Sequence, residues 1–421
     1  MSPYCARKTD QIGPSHPAPM TRPCHGNKMP NINYIMPTKR SSRSSVDFCL
    51  GIIGDPQYAD VDNFEVQLMV YDLDPISGEK VLTFDQKRVR NYRNSLDVVK
   101  EASTTFKKTD GCVCTVVLGD IIDKAARLND TYAQCRIRLL DTISAYDIDE
   151  NDGKVKSGSK RKGTEAARRN EYLFCFGNND ADLTNEDKDY ASRKEWIHSF
   201  IPKSLNPLTF TTDKIYYDYV PSPGYRIVVL DCYDVNFYCG GTTENKLLGL
   251  RLLNDNNPFW NDFSITYEAK YSNFPSEKVK YQKYNGGIGT EQMRWLENTL
   301  GNAASEIVIC CGHLPLHPSS VSTIDGFLYN NTELMDLFNR HNCVKAYLSG
   351  HDHDGGYAKC PVSGIHYITP RAPIELCAGQ TSYGYLKFFS HKKGMELVWF
   401  GETPYNKKIF PQWPQGYVEF R

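Results

Sequence analysis

At 421 residues, 24% of them charged and with a net charge of −1, the chain has room for one large α/β domain or two smaller ones and no overall bias toward polyanions such as nucleic acid. No stretch approaches the roughly 20 apolar residues of a membrane span, and the N-terminus lacks the apolar core of a secretory signal. The 14 cysteines include no Cys-x-x-Cys pair, which disfavours a zinc ribbon or a redox motif and fits buried, reduced thiols in a cytoplasmic protein.

Residues 1–45 hold seven Lys or Arg, seven Pro and a single acid, Asp10, without a periodic apolar pattern. They read as a disordered basic extension. Their bias also resembles an organelle-targeting tail, although the prolines oppose an amphipathic helix. The remaining residues, 46–421, read as one catalytic domain. Residues 46–55 (VDFCLGIIGD) form a short apolar run suited to a buried parallel strand, and Gln57 lies two positions beyond Asp55. Residues 65–86 read as a surface insertion, a hairpin turning at Ser77-Gly78. Residues 86–107 then read as a helix, with Val89, Tyr92, Leu96, Val99 and Phe106 toward one face.

A second core strand is expected over 112–120 (CVCTVVLGD) and a helix over 128–146. Residues 147–170 turn abruptly to acids and then bases, a second solvated insertion. Strands are expected at 172–178, 225–231 and 306–313, with a helix at 290–300 before the last of these. Residues 237–284, rich in Asn and aromatics, read as irregular. A helix over 333–340 precedes an apolar run, Val344–Leu348, that leads into Gly350-His351-Asp352-His353. Short mixed runs across 362–400 suggest antiparallel strands that close a second sheet. The expected fold is α/β, a β-sandwich of two mixed sheets flanked by helices.

One arrangement recurs along this order: an apolar run, a glycine, then a polar side chain. It occurs at Gly54-Asp55, Gly119-Asp120, Gly177-Asn178, Gly312-His313 and Gly350-His351. Each instance alone has an ordinary explanation, Asp120 as a helix cap or His313 as a hydrogen-bonded core histidine. Five in one chain point to strand ends converging on one place. Asp55, Gln57, Asp120, Asn178, His313, His351 and His353 together offer carboxylate, amide and imidazole donors, a set that suits manganese, iron or zinc. Seven donors exceed the four of a structural zinc site, so two divalent ions sharing a bridging carboxylate, with Asp120 as the bridge, is the economical solution. Two ions about 3.5–4 Å apart can clamp the attacking and leaving oxygens of a phosphoryl group.

These segments carry a resemblance to the calcineurin-like metallophosphoesterases: Asp-x-Gln at 55–57, Gly-Asp-Ile-Ile-Asp at 119–123, Gly-Asn-Asn-Asp at 177–180, Gly-His at 312–313 and Gly-His-Asp-His at 350–353. Within that family the chain is similar to the manganese-dependent ADP-ribose/CDP-alcohol diphosphatases, through GDPQYAD (54–60), RNYRNSL (90–96), GYRIVVLDCYD (224–234), YNGGIGTEQMRWLE (284–297), GHLPLHP (312–318) and SGHDHDGGY (349–357). The resemblance implies a small nucleotide substrate, no nucleic-acid or membrane partner, and hydrolysis of a pyrophosphate by water. It places one metal on Asp55, Gln57, Asp120 and His353, and the other on Asp120, Asn178, His313 and His351. Phe64 is a candidate for stacking on the base, and a monomer is expected.

One position departs from the family pattern. Its third motif usually reads Gly-Asn-His-acid, and Asn179 stands where that His, cast as proton donor to the leaving group, would be. An amide cannot act as a general acid. The departure keeps two alternatives in view: a phosphatase or phosphodiesterase acting on another substrate, and a catalytically weak metal- or nucleotide-binding protein.

Overall fold

The computed structural model describes residues 46–73, 80–129, 132–145, 170–181, 193–201, 205, 210–211, 213–262, 274–323, 325–389, 394–404 and 416–419. The first strand, β1 (Phe48–Ile53), is buried along its whole length, as a strand covered on both faces must be. It pairs in parallel with β4 (Cys112–Val117), which pairs in parallel with β5 (Glu171–Phe174). On the other side β1 runs antiparallel to β12 (Ser382–Phe388), followed outward by β13 (Gly394–Gly401) and β14 (Gly416–Glu419). This is a six-stranded mixed sheet in the order β14-β13-β12-β1-β4-β5.

A second six-stranded sheet has the order β10-β11-β9-β8-β7-β6. Its centre is the parallel set β7 (Tyr225–Val229), β8 (Ile307–Cys311), β9 (Val344–Leu348) and β11 (His366–Thr369). The antiparallel strands β6 (Tyr217–Ser222) and β10 (Gly356–Lys359) close its edges. Aromatic rings join the two sheets: Phe48 lies 5.3 Å from Tyr225 of the other sheet and 5.3 Å from its own neighbour Phe388. Offset ring pairs of this kind favour one packing over its alternatives beyond their buried area.

Helices α1 (Asn94–Lys108), α2 (Tyr132–Ala145), α3 (Arg193–Phe200), α4 (Thr243–Asn256), α5 (Thr290–Asn302) and α6 (Asn331–Arg340) accompany the sheets. Val98, Val99, Ala102 and Phe106 form the buried stripe of α1, and Phe106 fills the space that a side chain at Gly51 of β1 would need. The expected two-sheet sandwich with flanking helices is the observed architecture. Val46–Arg421 forms one compact unit. Among the described residues no helix is long and apolar enough to cross a membrane.

Three expectations need correction or limits. The helix expected from residue 86 begins only at Asn94, because β3 (Lys80–Arg90) runs antiparallel to β2 (Phe64–Leu73) as a two-stranded ribbon. Val89, expected on a buried helix face, is an exposed strand residue. The segment 237–284 is not irregular throughout. Thr242 caps α4 by accepting from the Asn245 amide, and mid-helix Gly249 packs so closely that a Cβ would sit 2.5 Å from the Phe237 nitrogen. The extension 1–45, the Ser77-Gly78 turn and residues 147–169 lie outside the described residues. Asn170, placed in the second insertion, is buried and donates to Thr115 Oγ1 at 2.9 Å.

Candidate metal centre

The C-terminal ends of β1, β4 and β5 from one sheet and of β8 and β9 from the other meet at one place. Asp55 and Gln57 follow β1, Asp120 follows β4, Asn178 follows β5, His313 follows β8, and His351 and His353 follow β9. Main-chain bonds tie these loops together. The Gln57 amide donates to the Asp120 carbonyl at 2.8 Å, and the Gly350 amide to the His313 carbonyl at 3.0 Å. The recurrent glycine has a packing cause. A Cβ on Gly119 would lie 2.5 Å from His313 Nδ1, one on Gly350 would lie 2.5 Å from Asp55 Oδ2, and one on Gly177 would collide with Asp120. Each of these three glycines leaves the room that a polar side chain of the site occupies, whereas a Cβ on Gly54 would meet Pro370 at 3.2 Å. Among the described residues, the non-glycine positions with positive φ are Gln57, Asp120 and His351, at 41°, 49° and 67°. Backbone strain of this type, about 1–3 kcal/mol per residue, persists where surrounding structure holds it, and here it is confined to the site.

Two triads share one carboxylate. The ligand atoms of Asp55, Asp120 and His353 lie within 4.8 Å of one another, as do those of Asp120, His313 and His351, so each group could hold a metal ion. The amides complete them. Asn178 turns Oδ1 toward His351 Nδ1 at 2.9 Å and His313 Nε2 at 3.2 Å, and the Tyr233 hydroxyl donates to it at 3.3 Å. Gln57 reaches Asp120 Oδ2 at 2.9 Å and His353 Nε2 at 2.8 Å with its nitrogen foremost, while Arg90 donates to its Oε1 at 3.0 Å. A half-turn about χ3 exchanges the two ends of this amide and would bring its oxygen to the centre. Asp55 accepts from the His351 main-chain N–H through Oδ1, and its Oδ2 is buried without a partner. An orphaned carboxylate oxygen among carboxylates and imidazoles is what a cation site requires.

Charge in the centre is divided unevenly. Burial raises the Asp55 carboxyl above its ordinary range, against the pull of His313. Burial also opposes the charge of Asp120, but His313 and the Asn179 main-chain N–H outweigh it and hold Asp120 below the usual carboxylate range. For His313, burial is overcome by Asp120 and Asp55, which lift it to about 9. Burial and the neighbouring His313 push His351 down to about 3, keeping that ring neutral, the form in which an imidazole binds metal.

Asn179 faces inward but grips a carboxylate. Its main-chain N–H donates to Asp120 Oδ1 at 2.7 Å and its side-chain amide to Oδ2 at 2.6 Å. Phe64 is the first residue of β2, 43% exposed, and is paired in register with Arg90. The acid between the two histidines is a loop anchor: Asp352 accepts from the amides of Ser322 and Thr323 at 2.6 and 2.9 Å. Sequence reasoning gave no role to Arg88, which clamps Asp354 through two bonds of 2.5 Å, or to Glu375, whose Oε1 meets His353 Nδ1 at 2.8 Å. The available signal for Glu375 was a lone acid inside the run APIEL at 372–376. A charge in such a run needs a partner.

Parallel strands from two sheets that deliver acids, amides and imidazoles to a shared edge define a dimetal phosphoesterase type of site. Residues 50–355 match the family model of the calcineurin-like phosphoesterases, and the chain belongs to that family. Among curated proteins it is similar to the manganese-dependent ADP-ribose/CDP-alcohol diphosphatase of Arabidopsis thaliana, 27% identical over 82% of this chain and 92% of the relative. It is also similar to the human protein of that name, 24% identical over 87% of this chain and 94% of the relative. A crystal structure of a dimetal phosphatase from Danio rerio shares the fold, with a TM-score of 0.61 and 24% identity over 85% of this chain and 97% of that one.

Proposed function

We propose that this chain is a metal-dependent diphosphatase. It would hydrolyse the pyrophosphate of nucleoside diphosphate-linked compounds, ADP-ribose and CDP-alcohols such as CDP-choline, to a nucleoside monophosphate and a phosphorylated product. The observation that carries the proposal is the pair of triads sharing Asp120, one of them with a partnerless Asp55 oxygen, in a chain whose relatives bear that name. The catalytic domain is assigned to residues 46–421.

Asp55, Gln57, Asp120 and His353 would hold one ion, and Asp120, Asn178, His313 and His351 the other, with manganese the first choice and zinc or iron the alternatives. Bound there, the ions would supply Lewis acidity toward phosphoryl oxygens and lower the pKa of the attacking water. The chain's own part is to hold charge and geometry. Asn179 fixes both oxygens of Asp120, and the Leu118 carbonyl accepts a hydrogen bond from His313 Nδ1–H at 2.7 Å, leaving Nε2 to face the centre. Without a general acid at Asn179, the leaving group departs unprotonated. A phosphate monoester can do so because its second pKa is near ~6. An alkoxide cannot, so loss of general-acid help, about 10²–10⁴-fold, falls on simple phosphodiesters.

Phe64, exposed at the foot of the ribbon, is assigned to stack on the nucleotide base. Phe64→Ala should raise KM for ADP-ribose several-fold with kcat little changed, and an unchanged KM would remove it from the site. The buried free thiols Cys310 and Cys311 suit a reducing setting, and the cytoplasmic location and monomeric state proposed for the chain would be tested by cell fractionation and sedimentation.

Asn179 is also the observation that favours a second reading, a metal- or nucleotide-binding protein with little turnover. Assays with added Mn²⁺ on ADP-ribose, CDP-choline and a p-nitrophenyl phosphodiester separate the two. Turnover of the first two above the third supports the diphosphatase. Turnover of none, with metal bound, supports the silent protein.

A further inference from the structure

The three imidazoles of the centre are backed differently. His313 turns its outward nitrogen, Nδ1, to the Leu118 carbonyl at 2.7 Å. His351 turns Nδ1 inward to Asn178. His353 faces the centre with Nε2, and of the three it is the one whose outward nitrogen meets a carboxylate at hydrogen-bond distance, Glu375 Oε1 at 2.8 Å. That carboxylate is built in. Glu375 is 8% exposed and ends a single turn, Pro373–Glu375. The Ala372 amide just before this turn donates to the His353 carbonyl at 3.0 Å, and the Asn91 amide after β3 donates to Ile374 at 2.8 Å. Arg90 lies 4.0 Å from Glu375 Oε1.

The two triads also differ in charge. One has Asp55 in addition to the shared Asp120, whereas the other completes its set with neutral Asn178 and two histidines. We infer that Glu375 is a positioning residue that fixes the proton of His353 on Nδ1, so that the Asp55–Asp120–His353 triad binds its ion more tightly than the Asp120–His313–His351 triad. The physical reason is that a carboxylate on the far nitrogen sets the tautomer and raises the basicity of the ligating one, and its loss typically costs 10–100-fold in metal affinity. The inference rests on the dimetal reading above.

The test is Mn²⁺ binding to the full chain, followed by the electron paramagnetic resonance signal of free Mn²⁺ together with calorimetry. Wild type should bind two ions with affinities about tenfold or more apart. Glu375→Gln keeps an oxygen for Nδ1–H and removes the charge. It should weaken the tighter site by about tenfold and leave the other within about threefold, with an unchanged circular dichroism spectrum. Glu375→Ala should weaken the tighter site further. Affinities equal to wild type in the Gln variant would overturn the inference, and so would equal loss at both sites or loss of the fold, which mark a merely structural role. If wild type binds no pair of ions, the dimetal reading itself fails. If it binds two and the Gln variant matches it, only the Glu375 inference fails.

Discussion

Gly119→Ala isolates the reason the centre is built from glycine-punctuated strand ends. Gly119 has φ +91°. A Cβ there would stand 2.5 Å from His313 Nδ1 and 3.1 Å from the Gly177 nitrogen. Gly224, with φ +83°, has nothing within 4 Å of its would-be Cβ and serves as a control for backbone strain alone. The left-handed conformation costs a non-glycine residue about 1–2 kcal/mol, so Gly224→Ala should lose roughly that much stability. Gly119→Ala adds an overpacking cost of about 1–3 kcal/mol, for a total of about 2–5 kcal/mol. The imidazole must also move, because its Nδ1 is already held at 2.7 Å by the Leu118 carbonyl. Urea midpoints in metal-free buffer measure the stability difference, and Mn²⁺ titration measures the displacement of His313. The two variants should differ in both. Equal stability losses with wild-type metal binding in Gly119→Ala would refute the packing argument for the motif.

Two further outcomes follow from the same geometry. Asn179→His should raise turnover on a dialkyl phosphodiester, whose alkoxide leaving group needs a proton, by about 10²-fold or more while changing ADP-ribose hydrolysis much less, and an equal rise on both, or on neither, would count against the leaving-group argument. Asp234 supplies a pH test away from the centre. Burial and then Asp231 raise its carboxyl from 3.8 to about 6. A raised acid contributes its full stability below the ordinary value and loses it as pH climbs through the folded one. Wild type should therefore lose about 2.4 kcal/mol relative to Asp234→Asn between pH 4 and pH 8. The acceptor that Asn lacks toward the Gly289 amide or Asn245 adds an offset independent of pH. A pH-independent difference between the two proteins, by denaturant titration, would contradict that assignment.

The strands that carry the site were legible because their chemistry is local. FCLGII, CVCTVV and IVICC are too apolar to lie anywhere but between covered faces, and the glycine and donor after each mark where the chain leaves the sheet. All seven donors named from the sequence reach one place. What pattern reading missed depends on long-range packing. Residues 86–90 carry apolar positions that also fit a helix, yet pairing with β2 keeps them extended and sends Arg90 to Gln57 and Asp123. The Asn and aromatic content of 237–284 obscured α4, in which Gly249 admits the Asn236–Phe237 backbone. Glu375 lies 22 residues beyond His353, and no spacing rule joins a metal ligand to the acid behind it. Asn179 was legible as a departure, but its hold on Asp120 needed coordinates.

The account stands or falls on Asp120 as the carboxylate common to both triads. Metal stoichiometry of wild type and Asp120→Ala, read by Mn²⁺ titration alongside ADP-ribose turnover, tests it most directly. Two ions per chain in wild type, and loss of both ions together with turnover in Asp120→Ala, is the expected result. A fully active Asp120→Ala enzyme that still binds two ions would contradict it.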